Sequence, residues 1–178
     1  MQLPVDGTLF QEAYFVDDID RACAAWSESF GAGPFVVSHH HQCDRFDYRG
    51  TEHEADVSYA FGYLDEMMIQ FIVQHDDTPS IYRDMYPDGP PLGAGFHHIG
   101  ILVSDFEAEF QRLSDMGFVC ATRLYADGVD AAYFDTRSIT GGFTEIHGDP
   151  SHIVEAFASW RASHATHAPG NPAIVPRR

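Results

Sequence analysis

The chain has 178 residues and carries 27 acidic against 10 basic side chains, a formal charge of −17. That length suits one domain with a real core, and that charge opposes binding to nucleic acid or anionic lipid, which rests on Lys and Arg meeting phosphates. All the basic residues are arginine, which excludes a lysine Schiff base.

No export or membrane segment is legible. Met1 to Leu9 lacks a basic start followed by an apolar run, and the longest apolar stretches, Met67 to Val73 and Ile99 to Val103, are far too short to span a bilayer. A soluble, cytoplasmic protein is expected. Cys23, Cys43 and Cys120 are widely spaced and odd in number, so they read as structural thiols and not as a disulfide framework or a thiolate zinc site.

Gln11 to Asp18 reads as a strand ending on an acidic helix cap. The helix that follows carries Ile19, Cys23, Trp26 and Phe30 on one face, Gly31 stops it, and an extended run begins at Pro34. The run His39-His-His41 reads as pocket or surface histidine, since alternation sends the middle ring away from its neighbours. Strands over Asp56 to Tyr63 and Met67 to Val73 complete module one, residues 9–74. Residues 75–94, with Asp-Asp, prolines, glycines and a short helix at Ser80 to Met85, read as a linker.

The pattern then starts again. His98 to Asp105 repeats the strand and its acidic end, Ser104-x-x-Glu107 offers a capping box, and Phe106, Phe110 and Leu113 share one helical face. Gly117, an extended run Phe118 to Leu124, and strands over Ala131 to Asp135 and Gly142 to His147 complete module two, residues 95–148. A C-terminal helix over 150–162 closes a single domain of residues 1–164, and residues 165–178, rich in Ala, His and Pro, read as a flexible tail. The fold class is α+β, with two copies of a βαβββ unit.

Aligning the copies on Asp18 and Asp105 puts Gln11 opposite His98 in the first strands and Gln70 opposite Glu145 in the last. Four residues able to give oxygen or nitrogen to a metal ion thus occupy two equivalent positions of each repeat. A Gln alone in a strand is ordinarily a hydrogen-bonded core or edge residue; the repeat is what singles this set out. His97 is expected on the opposite face of its strand from His98, as a packed or surface residue. His147, two residues after Glu145, is expected on the same side as that carboxylate, with a titration range suited to proton transfer.

With Phe96-His-His-Ile-Gly100 and Asp105 in module two, and Gly33-Pro-Phe after the first helix, the sequence over Leu9 to His147 resembles the vicinal-oxygen-chelate superfamily of glyoxalases, bleomycin-resistance proteins and dioxygenases. The resemblance implies a cupped eight-stranded mixed sheet around one divalent metal, nickel, cobalt, zinc, manganese or magnesium, held by Gln11, Gln70, His98 and Glu145. Gln11 resembles glyoxalase I at its position, and Gln70 resembles methylmalonyl-CoA epimerase at its own. It implies a lyase or isomerase that enolises a small molecule chelating the metal through adjacent oxygens, with Glu145 as base, His147 or Glu54 as second acid or base, and a homodimer. A coenzyme A substrate would call on Arg45, Arg49 and Arg83 for its phosphates. Two alternatives stand beside this: a binding protein of the bleomycin-resistance kind, and an extradiol dioxygenase, which wants two histidines where this set has one.

Overall fold

The computed structural model describes residues 7–176; the first six residues, and with them most of the segment read as lacking an export signal, lie outside the described residues, as do Arg177 and Arg178. The strands are β1 (Gly7–Val16), β2 (Phe35–Ser38), β3 (Arg45–Tyr48), β4 (Thr51–Glu52), β5 (Val57–Leu64), β6 (Met67–Gln74), β7 (Ala94–Val103), β8 (Cys120–Ala126), β9 (Val129–Phe134), β10 (Phe143–Gly148) and β11 (Ile174–Val175). The helices are α1 (Ile19–Phe30), α2 (Ile81–Met85), α3 (Phe106–Asp115), α4 (Arg137–Thr140) and α5 (Ser151–His164). All strands join one open mixed sheet in the order β11-β2-β5-β6-β1-β7-β10-β9-β8-β3-β4. The eight expected strands form its middle, and three short ones lengthen its edges.

Both main helices start where the sequence puts a carboxylate. Asp18 accepts from the Arg21 amide at 2.8 Å and Asp105 from the Ala108 amide at 3.0 Å, which satisfies otherwise unpaired N–H groups of the first turn. Asp105, not Ser104, is the cap of α3, so the expected capping box does not form and Glu107 pairs with Arg123 instead. Gly31 ends α1 at φ +74°, where a side chain is disfavoured.

The repeat is exact where it matters for register. Antiparallel β1 and β7 set Gln11 opposite Gly100 and Ala13 opposite His98. Parallel β6 sets Gln70 beside Ala13, and parallel β10 sets Glu145 beside Gly100. Each junction strand also carries an irregularity at an equivalent place: the register slips between Leu9 and Gln11, and again between His98 and Phe96. Phe10 and His97 are the extra residues, each just before a first-strand candidate ligand, and such bulges break the alternation of side chains.

Packing divides into three clusters. One, including Phe15, Phe46, Tyr59, Tyr82, Tyr133 and Phe143, fills the inside of the cup and draws on both modules and α2; the other two lie between the sheet and α1, and between the sheet and α3. Burying each such large apolar side chain contributes about 1.5–3 kcal/mol. The β3–β4 hairpin, an excursion of module one, pairs with β8 at the far edge of module two and delivers Phe46 to the shared cluster.

Residues 165–176, read from the sequence as a flexible tail, return to the sheet. Ala173 accepts from the Phe35 amide at 2.7 Å, β11 pairs with β2, and Ala173 and Ile174 pack under α1. Before that turn, α5 straps the mouth of the cup. Near its start His152 donates to the Asp127 carbonyl of module two, and at its end His164 donates to the Gly33 carbonyl and accepts from the Asp65 amide of module one. Among the described residues no helix is long and apolar enough to cross a membrane.

Candidate metal centre

The four side chains singled out by the repeat converge. Gln11 Nε2 lies 3.1 Å from Gln70 Oε1, 3.2 Å from His98 Nε2 and 3.0 Å from Glu145 Oε2, and His98 Nε2 lies 3.2 Å from Glu145 Oε2. All four residues are buried. Gly100 makes this approach possible, because a Cβ there would stand 2.9 Å from the Phe10 ring and 3.0 Å from Gln11 Cβ.

The donor set fits a small divalent cation. Two ligands at right angles, each about 2.1 Å from such an ion, lie about 3.0 Å apart, which is the spacing found here. The Gln11 amide nitrogen has two hydrogens for three acceptor atoms, so it stands where positive charge is wanted. Rotating that amide by half a turn would point Oε1 inward and complete a set of three oxygens and one imidazole nitrogen with a single negative charge.

Behind this set lies a relay that the sequence reading did not foresee. His97, expected on the opposite face, is fully buried, and its Nδ1 lies 2.9 Å from His98 Nδ1 because the bulge turns both rings the same way. Burial, with His98 close by, holds His97 well below the ordinary histidine range, so it is neutral with one proton. That proton sits on Nε2, 3.2 Å from the Ile81 carbonyl, which can only accept. His97 Nδ1 therefore accepts from His98 Nδ1–H, which leaves Nε2 as the His98 nitrogen that faces the cluster.

Glu145 is held from two sides. Tyr133 donates to Oε1 at 3.0 Å while Oε2 faces His98 and Gln11. Burial alone would raise its carboxyl, yet His98, His147 and the Tyr133 hydroxyl leave it below the ordinary glutamate value. Burial and the Glu145 charge push the Tyr133 phenol well up, so it remains a donor.

Gln11, Gln70, Glu145 and Tyr133 open onto a cavity of about 640 Å³ roofed by α5 and the returning tail. His147 lines it, with its ring packed against Phe10 and Phe157. Its Nδ1–H donates to the Gly148 carbonyl at 2.6 Å, which leaves Nε2 as the basic nitrogen. Glu54 is not brought to this site: it is exposed in the loop between β4 and β5 and does not line the cavity. Arg45, Arg49 and Arg83 are likewise absent from the lining and are engaged with Asp47, Asp84 and Asp77. Of the His39 to His41 run, His41 lines the cavity, whereas His40 pairs on the surface with Asp56 near His75.

A model of the Glyoxalase/Bleomycin resistance protein/Dioxygenase superfamily matches residues 10–134. No curated protein matches the chain. Among solved structures, methylmalonyl-CoA epimerase from Mycobacterium tuberculosis is similar with a TM-score of 0.58 at 17% identity, covering 87% of this chain and 95% of the epimerase. A hypothetical protein, BH1468 from Bacillus halodurans C-125, gives 0.57 at 18% identity, with 83% and 97% covered. A methylmalonyl-CoA epimerase in complex with methylmalonyl-CoA and NH4+ gives 0.51 at 14% identity, with 82% and 96% covered. At these identities the structural likeness is one of fold. Taken with the family match over most of its length, it places the chain firmly: the protein belongs to the glyoxalase/bleomycin resistance/dioxygenase superfamily.

Proposed function

We propose that the chain is a divalent-metal-dependent lyase or isomerase, glyoxalase-like or epimerase-like, that enolises a small molecule presenting two adjacent oxygens, with Gln11, Gln70, His98 and Glu145 as metal ligands. The observation that carries this reading is the convergence of those four side chains from two equivalent registers, with Gln11 3.0–3.2 Å from each of the other three, beside a cavity of about 640 Å³. A cation bound there would supply Lewis acidity to the paired substrate oxygens.

The protein's own groups divide the remaining work. Glu145, with its carboxyl held low and both oxygens engaged, suits ligation better than proton abstraction. His147 takes the role of base: its Nε2 accepts the carbon-bound proton and returns it, while the bond from Nδ1–H to Gly148 fixes the ring. Phe10 and Phe157 pack against the His147 ring and give it apolar surroundings on that side.

The test is elemental analysis of untagged protein purified without added metal, before and after chelator, followed by titration with nickel, cobalt, manganese, zinc and magnesium. About one ion per chain, lost in both Glu145→Gln and His98→Ala with the fold intact, is the expected result. Stoichiometric metal kept by both variants would overturn the ligand assignment. One observation favours a second reading, a metal-free binding protein: the Gln11 amide already lies within hydrogen-bond distance of the other three side chains without a cation. That reading predicts tight ligand binding unaffected by chelators.

A further inference from the structure

The cavity walls carry a substrate preference, and the inference rests on the enolising reading above. One side is a continuous aromatic surface. Phe61 stacks on Trp160 at 5.5 Å between centroids and Trp160 meets Phe157 at 5.6 Å, while Phe10, behind the lining, stacks on Phe157 at 5.4 Å. Tyr59, Tyr133 and Leu124 face the same space from the sheet. Its volume, about 640 Å³, falls in the range of sites that enclose a whole drug-sized molecule.

The charged groups around this space point the same way. Among the described residues the only carboxylates on its lining are Asp127 and Glu145, and no arginine lines it. Each of the eight described arginines has a carboxylate within 4.0 Å: Arg21 with Asp17, Arg45 with Asp47, Arg49 with Asp84, Arg83 with Asp77, Arg112 with Glu109, Arg123 with Glu107, Arg137 with Asp135 and Arg161 with Glu66. The adenosine phosphates of a coenzyme A thioester and the two carboxylates of a glutathione adduct both need cations to replace their water. Among the described residues the cavity offers them none beyond its histidines, in a chain of net charge −17.

We infer that the substrate is an uncharged, ring-bearing molecule with two adjacent oxygens, whose ring lies against Phe61, Phe157 and Trp160 while its oxygens reach Gln11, Gln70 and Glu145, and that it is neither a coenzyme A thioester nor a glutathione adduct. Ring faces gain from edge and offset contacts with such a wall in a way a flexible polyanion does not.

The experiment uses the full chain with Trp26→Phe, which leaves Trp160 as its one indole, loaded with whichever metal it retains. The probe is 2-hydroxyacetophenone, followed by Trp160 quenching and by solvent deuterium exchange at its carbinol carbon, with methylmalonyl-CoA and S-lactoylglutathione as the charged comparisons. Saturable quenching and exchange by the ketone, with the half-saturating ketone concentration for deuterium exchange raised about tenfold or more in Trp160→Leu, and neither response to the charged compounds, is the expected result. A chain ending at Pro176 should behave the same, which tests Arg177 and Arg178 as the remaining cations. Tighter binding or faster exchange with either charged compound would overturn the inference and leave the enolising reading standing. Chelator-insensitive binding of the ketone without exchange would overturn the enolising reading and leave the ring site standing.

Discussion

His97 and His98 are consecutive in β7, yet their Nδ1 atoms stand 2.9 Å apart. A regular strand would send the two rings to opposite faces; the bulge turns both inward and makes one the orienting partner of the other. Replacing His97 by Phe keeps ring packing on Tyr82 and Phe143 but removes the acceptor for His98 Nδ1–H. Metal affinity is expected to fall about 10–100-fold, the usual cost of losing such a partner. Competition with a chromophoric chelator measures it, and an unchanged affinity would remove His97 from the relay.

The same residue sets a pH response. The folded value of His97 is depressed, so its contribution to stability is complete above the unfolded value, about 6.5, and is lost as pH falls below it. Wild-type protein should lose up to about 1.4 kcal/mol per pH unit from this group, and His97→Phe should not. Urea melts of both proteins at pH 7.5, 6.5 and 5.5, with chelator present, compare the slopes.

Tyr133→Phe leaves Glu145 Oε1 without its donor inside the core. A loss of about 1.5–3 kcal/mol is expected at pH 7, as for hydrogen bonds to charged groups. Glu145 has a depressed folded value, so the stability it contributes is present above the unfolded value of about 4.3 and lost as pH falls through the folded one. The variant, with a less depressed Glu145, should begin acid unfolding at higher pH than wild type, read by far-UV circular dichroism between pH 6 and 3.

Cys43 lines the cavity, but burial, with Asp127 and Asp44 nearby, pushes its thiol up to about 11. At pH 8 only about one thiol in a thousand is ionised. Iodoacetamide labelling of the Cys43 peptide should be slow there and rise about tenfold per pH unit toward 11. Complete labelling within minutes at pH 8 would contradict the assignment of Cys43 as an inert wall residue.

The sequence spoke most clearly where the two copies could be compared. The offset that aligns Asp18 with Asp105 also aligns Gln11 with His98, and the pairing of both with Gly100 and Ala13 follows from it. Strand alternation predicted that His147 would share a side with Glu145, and both line the cavity. Alternation failed at His97 because a bulge depends on the register of two strands and not on either alone. The hairpin of β3 and β4 was hidden because its partner β8 lies some 75 residues away, a distance that local patterning does not register. The return of the tail to β2 is not legible in the sequence, because a two-residue strand leaves no periodicity and its partners, Phe35 and α1, lie far upstream. Glu54 was offered only by resemblance, across a loop where the two copies share no pattern, and it stays at the surface.

The hairpin also settles how far the duplication has gone. Its β3 is hydrogen-bonded to β4 and to β8 of the other copy, while the edge of its own copy is closed by β11 from the end of the chain. Cutting the chain between the modules would leave one fragment holding the hairpin and the other holding both the strand it completes and the strand that finishes the first. The halves have become complements, like a lock and its key, each carrying a strand that lengthens the edge of the other.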